Sequence, residues 1–217
     1  MAVEKTGDDT AFITKDLGCR NISFPDVSVP CGKATFIIGG SGTGKTTLLK
    51  LFNQTETQTS GTILFFGSDI SGIKNTTDIR KRAVLCGQNV FLFNGTVKEN
   101  FNEYRRYVDL PPLPDDEMIR FLNICRAEKD IDKICKNLSG GEKERVFIAI
   151  YLSFRPPVLM LDEPTSALDR DTAIDVMRNV KEFCSENDMT LIVVSHDRNV
   201  IDAVADNIID LGGKKDG

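Results

Sequence analysis

The sequence predicts an α/β fold: a mostly parallel sheet flanked by helices, with an N-terminal antiparallel β subdomain and an inserted helical subdomain. Three observations predict it. First, Thr35-Phe36-Ile37-Ile38 reads as a short buried strand that runs into a glycine loop, and Thr47-Leu48-Leu49-Lys50-Leu51-Phe52 leaves that loop as a helix. Second, Val158-Leu159-Met160-Leu161 and Thr190-Leu191-Ile192-Val193-Val194 are continuous apolar runs, the composition of strands buried on both faces. Third, strands alternate with helical segments along the chain, the pattern of a parallel sheet covered on both sides.

Length and composition bound the reading. The chain has 217 residues, 41% of them hydrophobic, enough for one large domain or a core with a subdomain. A net charge of −5 gives no basic footprint for nucleic acid. No apolar run approaches the ~20 residues of a membrane span. Residues 1–10 are polar and acidic, so no secretory leader is expected, and the reading is of a soluble, intracellular protein with a loose N-terminal end. Six cysteines occur with no C-x-x-C pair and with one histidine in the chain, so zinc spacing is absent; reduced, mostly buried thiols are expected.

Taken in order, residues 12–17 alternate like a strand, and residues 22–29 form its hairpin partner, closing at Pro30-Cys31-Gly32. The strand, glycine loop and helix of residues 35–52 follow. Polar residues 53–60 make a turn, residues 61–67 a strand, and Ala83-Val84-Leu85-Cys86 a further strand ending at Gly87-Gln88. The character then changes over residues 89–137, the expected helical insertion. Thr96 with Glu99 three residues on is a capping-box start. After Pro111-Pro112-Leu113-Pro114, Asp115 or Asp116 is placed to cap a helix through Met118, Ile119, Leu122, Ile124 and Cys125. Leu138-Ser139-Gly140-Gly141-Glu142 opens a long helix to about Phe154, ended by Pro156-Pro157. Residues 171–186 are an amphipathic helix. A short helix follows His196, then residues 207–211 as an edge strand, with 212–217 frayed.

The residue pattern points to phosphate chemistry. Gly39-Gly40-Ser41-Gly42-Thr43-Gly44-Lys45-Thr46 satisfies G-x-x-x-x-G-K-[ST] in the strand–loop–helix setting the motif requires. The glycines turn backbone N–H groups inward around phosphate oxygens, and the helix start, with Thr47, adds its positive dipole end. Lys45 supplies a point charge for the β- and γ-phosphates; the Thr46 hydroxyl is a Mg²⁺ ligand. The strand at 158–161 ends in Asp162-Glu163, and carboxyl ends of parallel strands meet at the ligand crevice. Asp162 is placed to hold Mg²⁺ beside Thr46, and Glu163 to accept a proton from an attacking water. Ser139-x-x-Glu142 is a capping box, but Gly140 and Gly141 cost helix propensity of about 1 kcal/mol each, and their bare N–H groups suit a phosphate; both readings hold together. His196 follows the strand expected beside that of Asp162, which aims its ring at the γ-phosphate and Glu163; the structural alternative is an ordinary strand-end histidine. Gln88 also ends a strand, where its amide can contact the metal and the attacking water.

These stretches together resemble the ATP-binding-cassette family over nearly the whole chain. The Walker A loop is residues 39–46, the Gln loop Gln88, and the signature Leu138-Ser139-Gly140-Gly141-Glu142. The Walker B strand ends at Asp162 with Glu163 beside it, the D-loop is Ser166-Ala167-Leu168-Asp169, and His196 is the switch histidine. The resemblance implies a single P-loop NTPase domain: a β subdomain and P-loop core over residues 11–88, a helical subdomain over 89–137, and the signature helix and Walker B core over 138–211. It implies an ATP- and Mg²⁺-dependent ATPase. Its partners would be a second copy or a second ATP-binding subunit, closed head to tail over two ATP, and a separate integral membrane permease that holds it at the cytoplasmic face. The family stacks an aromatic residue on adenine upstream of the loop. That position falls here at Cys19 or Arg20, neither aromatic, though an Arg20 guanidinium can stack. A narrower likeness, carried by residues 89–100, the Pro-rich link and Phe121-Leu122, is to bacterial ATP-binding subunits linked to iron or metal export. The competing class is a soluble cassette ATPase acting on a non-transport partner; such proteins carry two fused cassettes or a long coiled-coil insertion, and neither is seen in these residues. A non-hydrolysing switch would lack Glu163 or His196, and both are present.

Overall fold

A computed structural model describes residues 9–212. The expected loose start at 1–10 and frayed end at 212–217 therefore lie almost wholly outside the described residues. The elements in order are β1 (Thr10–Cys19), β2 (Ile22–Ser23), β3 (Ser28–Pro30), β4 (Ala34–Ile38), α1 (Lys45–Phe52), β5 (Ser60–Phe65), β6 (Ser68–Asp69), α2 (Thr77–Arg82) and β7 (Ala83–Cys86). Then come α3 (Val97–Tyr107), α4 (Asp115–Ile124), a 3₁₀ turn at Cys135–Asn137, α5 (Gly140–Leu152), β8 (Val158–Asp162), α6 (Arg170–Glu186), β9 (Thr190–Val194), α7 (Arg198–Val204) and β10 (Asn207–Asp210).

Two sheets result. The parallel sheet has the order β10-β4-β9-β8-β7. The antiparallel sheet has the order β2-β1-β5-β6, with β3 also on β1. The apolar runs are apolar throughout because successive side chains feed different cores. In β8, Leu159 and Leu161 join a core with α3 to α6, whereas Val158 and Met160 join a second core between the sheets. In β9, Leu191 and Val193 take the first core, Ile192 and Val194 the second. Helix α1 fills the space between the sheets: Leu48, Leu49, Leu51 and Phe52 are fully buried, and the Phe52 ring stacks on Phe12 of β1 at 4.2 Å.

Several expected elements are adjusted. The single hairpin partner over 22–29 is two short strands, β2 and β3, split where Pro25 removes a ladder donor. Helix α1 begins at Lys45 rather than Thr47, with the loop already turning into it at Gly44. Thr96 and Glu99 form both bonds of the capping box at α3. Asp115 and Asp116 do not cap α4; Pro114 holds the N-cap position, and both acids sit in the first turn, where the positive helix end favours them. Residues Thr77–Arg82, which carried no helix expectation, form α2. Helix α5 ends at Leu152, earlier than expected. Strand β10 is at the sheet edge, as its sequence predicts. The insertion does not have a core of its own: Phe101, Met118, Phe121, Leu122 and Cys125 join the core built on α5 and α6.

Candidate functional site

Every chemistry-bearing loop leaves the carboxyl end of a strand in the parallel sheet: the glycine loop from β4, Gln88 from β7, Glu163 from β8 and His196 from β9. Between them lies a cavity of 620 Å³ lined by Ser41, Gly42, Gly44, Lys45, Thr46, Thr47, Gln88, Asp162, Glu163, Ser166, Val194, His196 and Ile22.

The loop is held by its own side chains. Lys45 is 8% exposed, and its ammonium donates to the Gly39 and Gly40 carbonyls, 3.0 Å each. The Thr43 hydroxyl also donates to the Gly40 carbonyl, at 3.0 Å. Gly44 must be glycine twice over: its φ is +92°, and a Cβ there would lie 2.9 Å from the Phe24 ring. Gly39, Gly40 and Thr43 do not line this cavity. The first two form the wall of a neighbouring hollow of 460 Å³ that shares His196.

Asp162 is buried at 3% exposure. Its Oδ2 accepts from the Thr46 hydroxyl at 2.8 Å across 116 residues of sequence, while its Oδ1 is buried with no hydrogen-bond partner. A buried, orphaned carboxylate oxygen is costly unless a further group satisfies it. An oxygen-only pair of hydroxyl and carboxylate at a phosphate loop fits Mg²⁺, which takes one or two carboxylates and completes its shell with phosphates and water. Among the described residues no cluster of three or more ionisable ligands offers an all-protein metal cage.

Glu163 sits one residue on, at φ +51°, with its N–H donating to the Val194 carbonyl at 2.9 Å. His196 Nε2 lies 3.0 Å from Glu163 Oε1; the imidazole is 59% exposed and the carboxylate 17%. Burial pushes the Glu163 carboxyl above its ordinary range and Asp162 adds to this, while His196 and Lys45 pull it down. Gln88 is exposed at the cavity wall.

Residues 139–142 do not line the cavity of their own chain. Ser139 Oγ accepts from the Glu142 N–H at 3.3 Å, and Glu142 Oε2 accepts from the Ser139 N–H at 2.7 Å, a complete capping box at α5. The other Glu142 oxygen takes the Lys133 ammonium at 3.1 Å. The Glu142 carboxylate is thus engaged by the cap and by Lys133. Gly141 is pressed on the next loop, where a Cβ would meet the Ala167 carbonyl at 3.1 Å, but at Gly140 the nearest atom is 4.0 Å away.

The structure places neither Cys19 nor Arg20 at the cavity wall. Cys19 alternates inward on β1, is 1% exposed, and its Sγ faces the Thr57 carbonyl at 3.6 Å. Arg20 turns out at φ +55° and forks onto both oxygens of Glu56, at 3.1 and 3.0 Å. Neither lines the cavity; Ile22, at the start of β2, does. Period-two alternation from Phe12 and Thr14 gave no signal for this, because the register shifts between Lys15 and Gly18, with Asp16 at φ +48°, and that shift is what turns Leu17 and Cys19 inward. Glu144 was also missed. It is 3% exposed and accepts from the Ser166 hydroxyl at 3.1 Å and the Ala167 N–H at 3.0 Å, tying α5 to residues 166–169. Its spacing from Glu142 gave no hint, since a mid-helix glutamate is ordinarily solvated.

Comparison with known proteins agrees with this geometry. The sequence model of the family described as ABC transporter matches residues 21–166. The chain is 36% identical over 195 residues to the probable iron export ATP-binding protein FetA of Escherichia coli, covering 88% of this chain and 83% of that one. It is 31% identical over 195 residues to the methionine import ATP-binding protein MetN of Clostridium acetobutylicum, covering 86% of this chain but 60% of that one. The chain thus spans about 60% of the length of this methionine-import relative. Among solved structures, cbiO1 from Clostridium perfringens, part of the ABC transporter complex cbiONQ, superposes with a TM-score of 0.81 at 28% identity, over 94% of this chain and 85% of that one.

Proposed function

The chain belongs to the ABC transporter family, and on that premise we propose that it is the ATP-hydrolysing subunit of a transporter, driving a separate membrane permease by closing head to tail with a second copy or a second ATP-binding subunit. The observation that carries the proposal is the convergence on one cavity of the Thr46–Asp162 hydrogen bond and the close His196–Glu163 contact beside the glycine loop. We read residues 11–88 and 138–211 as the nucleotide-binding core and 89–137 as the part that meets the permease at the cytoplasmic face. FetA is named for export and MetN for import, so the proposal carries transport without a direction.

In the proposed reaction, the loop N–H groups of residues 39–47 and the Lys45 ammonium bind the β- and γ-phosphates. Thr46 and Asp162, with the Gln88 amide, would hold Mg²⁺, which neutralises charge on the phosphate oxygens when bound. A water oxygen attacks the γ-phosphorus, the bond to the bridging oxygen breaks, and ADP leaves. Glu163 takes the proton of that water, and the His196 bond keeps its carboxylate in line. Ser139, Gly140 and Gly141 of the second subunit supply N–H groups to the γ-phosphate from the opposite side, consistent with their distance from the cavity of their own chain.

The test separates binding from turnover. Glu163→Gln keeps the shape of the side chain but loses the proton acceptor, so phosphate release is expected to fall by about 10²–10⁴-fold, the usual worth of a general base. ATP with Mg²⁺ is expected to give a stable dimer of Glu163→Gln in size-exclusion chromatography and none of Lys45→Ala. Phosphate release by Glu163→Gln at the parent rate would show that another group takes the proton.

A further inference from the structure

We propose that Ser166 is a further catalytic residue of this site: its hydroxyl oxygen accepts a hydrogen bond from the second hydrogen of the attacking water, and Glu144 of α5 is the positioning residue that turns the hydroxyl to present that oxygen; the inference rests on the nucleotide reading above.

Ser166 lines the same cavity as Gln88, Asp162, Glu163 and His196. Its place is fixed from three sides. Upstream, the chain leaves the end of β8 at Asp162. Downstream, the Leu168 N–H donates to the Thr165 carbonyl at 3.1 Å, and Asp169 caps α6 by accepting from the Thr172 N–H at 3.0 Å. Against α5 there is no slack: a Cβ at Gly141 would meet the Ala167 carbonyl and Leu168 Cδ2, each at 3.1 Å. Glu144, at 3% exposure, then takes two hydrogen bonds from this loop. The Ser166 hydroxyl donates to its Oε1 at 3.1 Å and the Ala167 N–H to its Oε2 at 3.0 Å.

A carboxylate only accepts hydrogen bonds. The Ser166 proton is therefore spent on Glu144, and what the hydroxyl oxygen has left for the cavity is lone pairs. A water whose own lone pair points at the γ-phosphorus has two O–H bonds to place. Glu163 takes the first proton. The other acceptors of the wall are committed: Asp162 Oδ2 to the Thr46 hydroxyl and the Val194 carbonyl to the Glu163 N–H, with Asp162 Oδ1 and the Gln88 amide given to the metal in the reaction above. The Ser166 oxygen remains for the second hydrogen. In the step, the water oxygen bonds to the γ-phosphorus, the bond to the bridging oxygen breaks and its electron pair leaves with ADP. One proton passes to Glu163; the other stays on the oxygen that becomes part of the phosphate, and Ser166 neither gains nor loses a proton.

The experiment exchanges the carboxylate for an amide. Glu144→Gln can keep both bonds, its carbonyl accepting from the Ala167 N–H and its NH₂ donating to Ser166, but it reverses the direction at Ser166: a lone pair is consumed and the O–H turns to the cavity. Phosphate release by the full chain is measured against ATP concentration with Mg²⁺, beside thermal unfolding. Glu144→Gln is expected to unfold near the parent midpoint, to hold KM for ATP within about twofold and to lower kcat by about tenfold, the scale of one hydrogen bond. Ser166→Ala is expected to show the same split. The double variant is expected to fall no further than Ser166→Ala, because Glu144 acts through that hydroxyl. Parent kcat in Glu144→Gln overturns the inference, as does a double variant slowed by the product of the two losses, about a hundredfold. A Glu144→Gln chain as unstable as Glu144→Ala shows a structural role alone and overturns it too. Each of these leaves the nucleotide reading intact, since ATP is still bound and turned over by the parent. A parent chain that releases no phosphate from ATP removes that reading and the inference with it.

Discussion

At Glu163 the backbone is left-handed, φ +51°, a conformation that a glutamate adopts at a cost and that persists where the surroundings fix it. Here the Val194 carbonyl fixes it through the Glu163 N–H, and the side chain is brought to within 3.0 Å of His196 Nε2. Burial raises the carboxyl above its ordinary range, so the ionised form, the one able to take a proton, is disfavoured by the fold. The stability contribution of such a group is full below its unfolded-state pKa and is lost as pH rises through the folded value. At neutral pH the charge is therefore a cost, and Glu163→Gln is expected to raise the unfolding midpoint while slowing turnover. The rise should stay below the ~2–4 °C that 1 kcal/mol is worth in a domain of this size. The acid limb of the rate profile reports the same group. His196 pulls the Glu163 carboxyl down, so His196→Ala is expected to move that limb to higher pH as well as lower the rate. A pH–rate profile of phosphate release decides it: an unmoved limb would mean that His196 acts only by holding the geometry.

Helix α5 shows how one element serves both a cap and a loop. Its first turn is closed by Glu142, whose carboxyl is held down at about 2 by the Ser139 bonds first and Lys133 second. A group lowered in this way contributes stability above its unfolded-state value, near 4.5, and loses it as pH falls through the folded value. Glu142→Gln is therefore expected to flatten the loss of stability between these limits. At neutral pH it should cost only about 1 kcal/mol, the worth of a cap, because 24% of the side chain faces water. Acid unfolding followed by circular dichroism would measure it, and an unchanged acid slope would count against the cap. Two residues further, Glu144 is pushed up by burial and drawn back by Ala167 and Ser166. Glu144→Ala leaves a hydroxyl and an N–H without their acceptor, an expected loss of about 1–3 kcal/mol in denaturant unfolding. Glu144→Gln should lose far less, since an amide can accept from Ala167 and donate to Ser166; equal losses in the two variants would sink this account. The elements themselves were legible because their signals are local: the apolar runs of β8 and β9, the glycine loop before α1, and Thr96 with Glu99 at α3. The convergence of Lys45, Asp162, Glu163 and His196 was legible too, because parallel strands bring their carboxyl ends to one place. What stayed hidden was side-chain direction, which depends on register. Cys19 faces inward because the β1 ladder is pinned at Gly18 and Cys19 by β2, and that pairing hands the cavity wall to Ile22. Glu144 stayed hidden because its acceptor role exists only once residues 166–169 fold against α5.

The whole molecule presents its chemistry on one end of the parallel sheet and an aromatic surface on the insertion. Among the described residues no helix is long and apolar enough to cross a membrane. Phe91 is 57% exposed and Tyr107 62%, and large apolar side chains grouped on a surface mark interaction sites. Beneath them the rings form a ladder toward the core: Phe91 edge-on to Phe93 at 5.0 Å, Phe93 to Tyr104 at 5.4 Å, and Tyr104 to Tyr151 at 5.7 Å. The backbone of this stretch is fixed as well. The Tyr104 hydroxyl donates to the Phe91 carbonyl at 2.6 Å, and the Phe93 N–H donates to Asn100 at 2.7 Å. The two phenylalanines therefore separate by role: Phe93 supports the ladder and Phe91 caps it on the outside, one turn of chain away from Gln88 at the cavity wall. Phe93→Ala is expected to cost about 2–3 kcal/mol in unfolding, toward the lower end of an aromatic truncation because the ring is only partly buried. Phe91→Ala is expected to leave unfolding and basal phosphate release within error of the parent and to weaken association with permease-bearing membranes severalfold in a flotation assay. If Phe91→Ala loses as much stability as Phe93→Ala, the outer ring belongs to the core and the docking surface lies elsewhere on the insertion. If both keep full membrane association, this aromatic surface is not the docking site even though the nucleotide site stands.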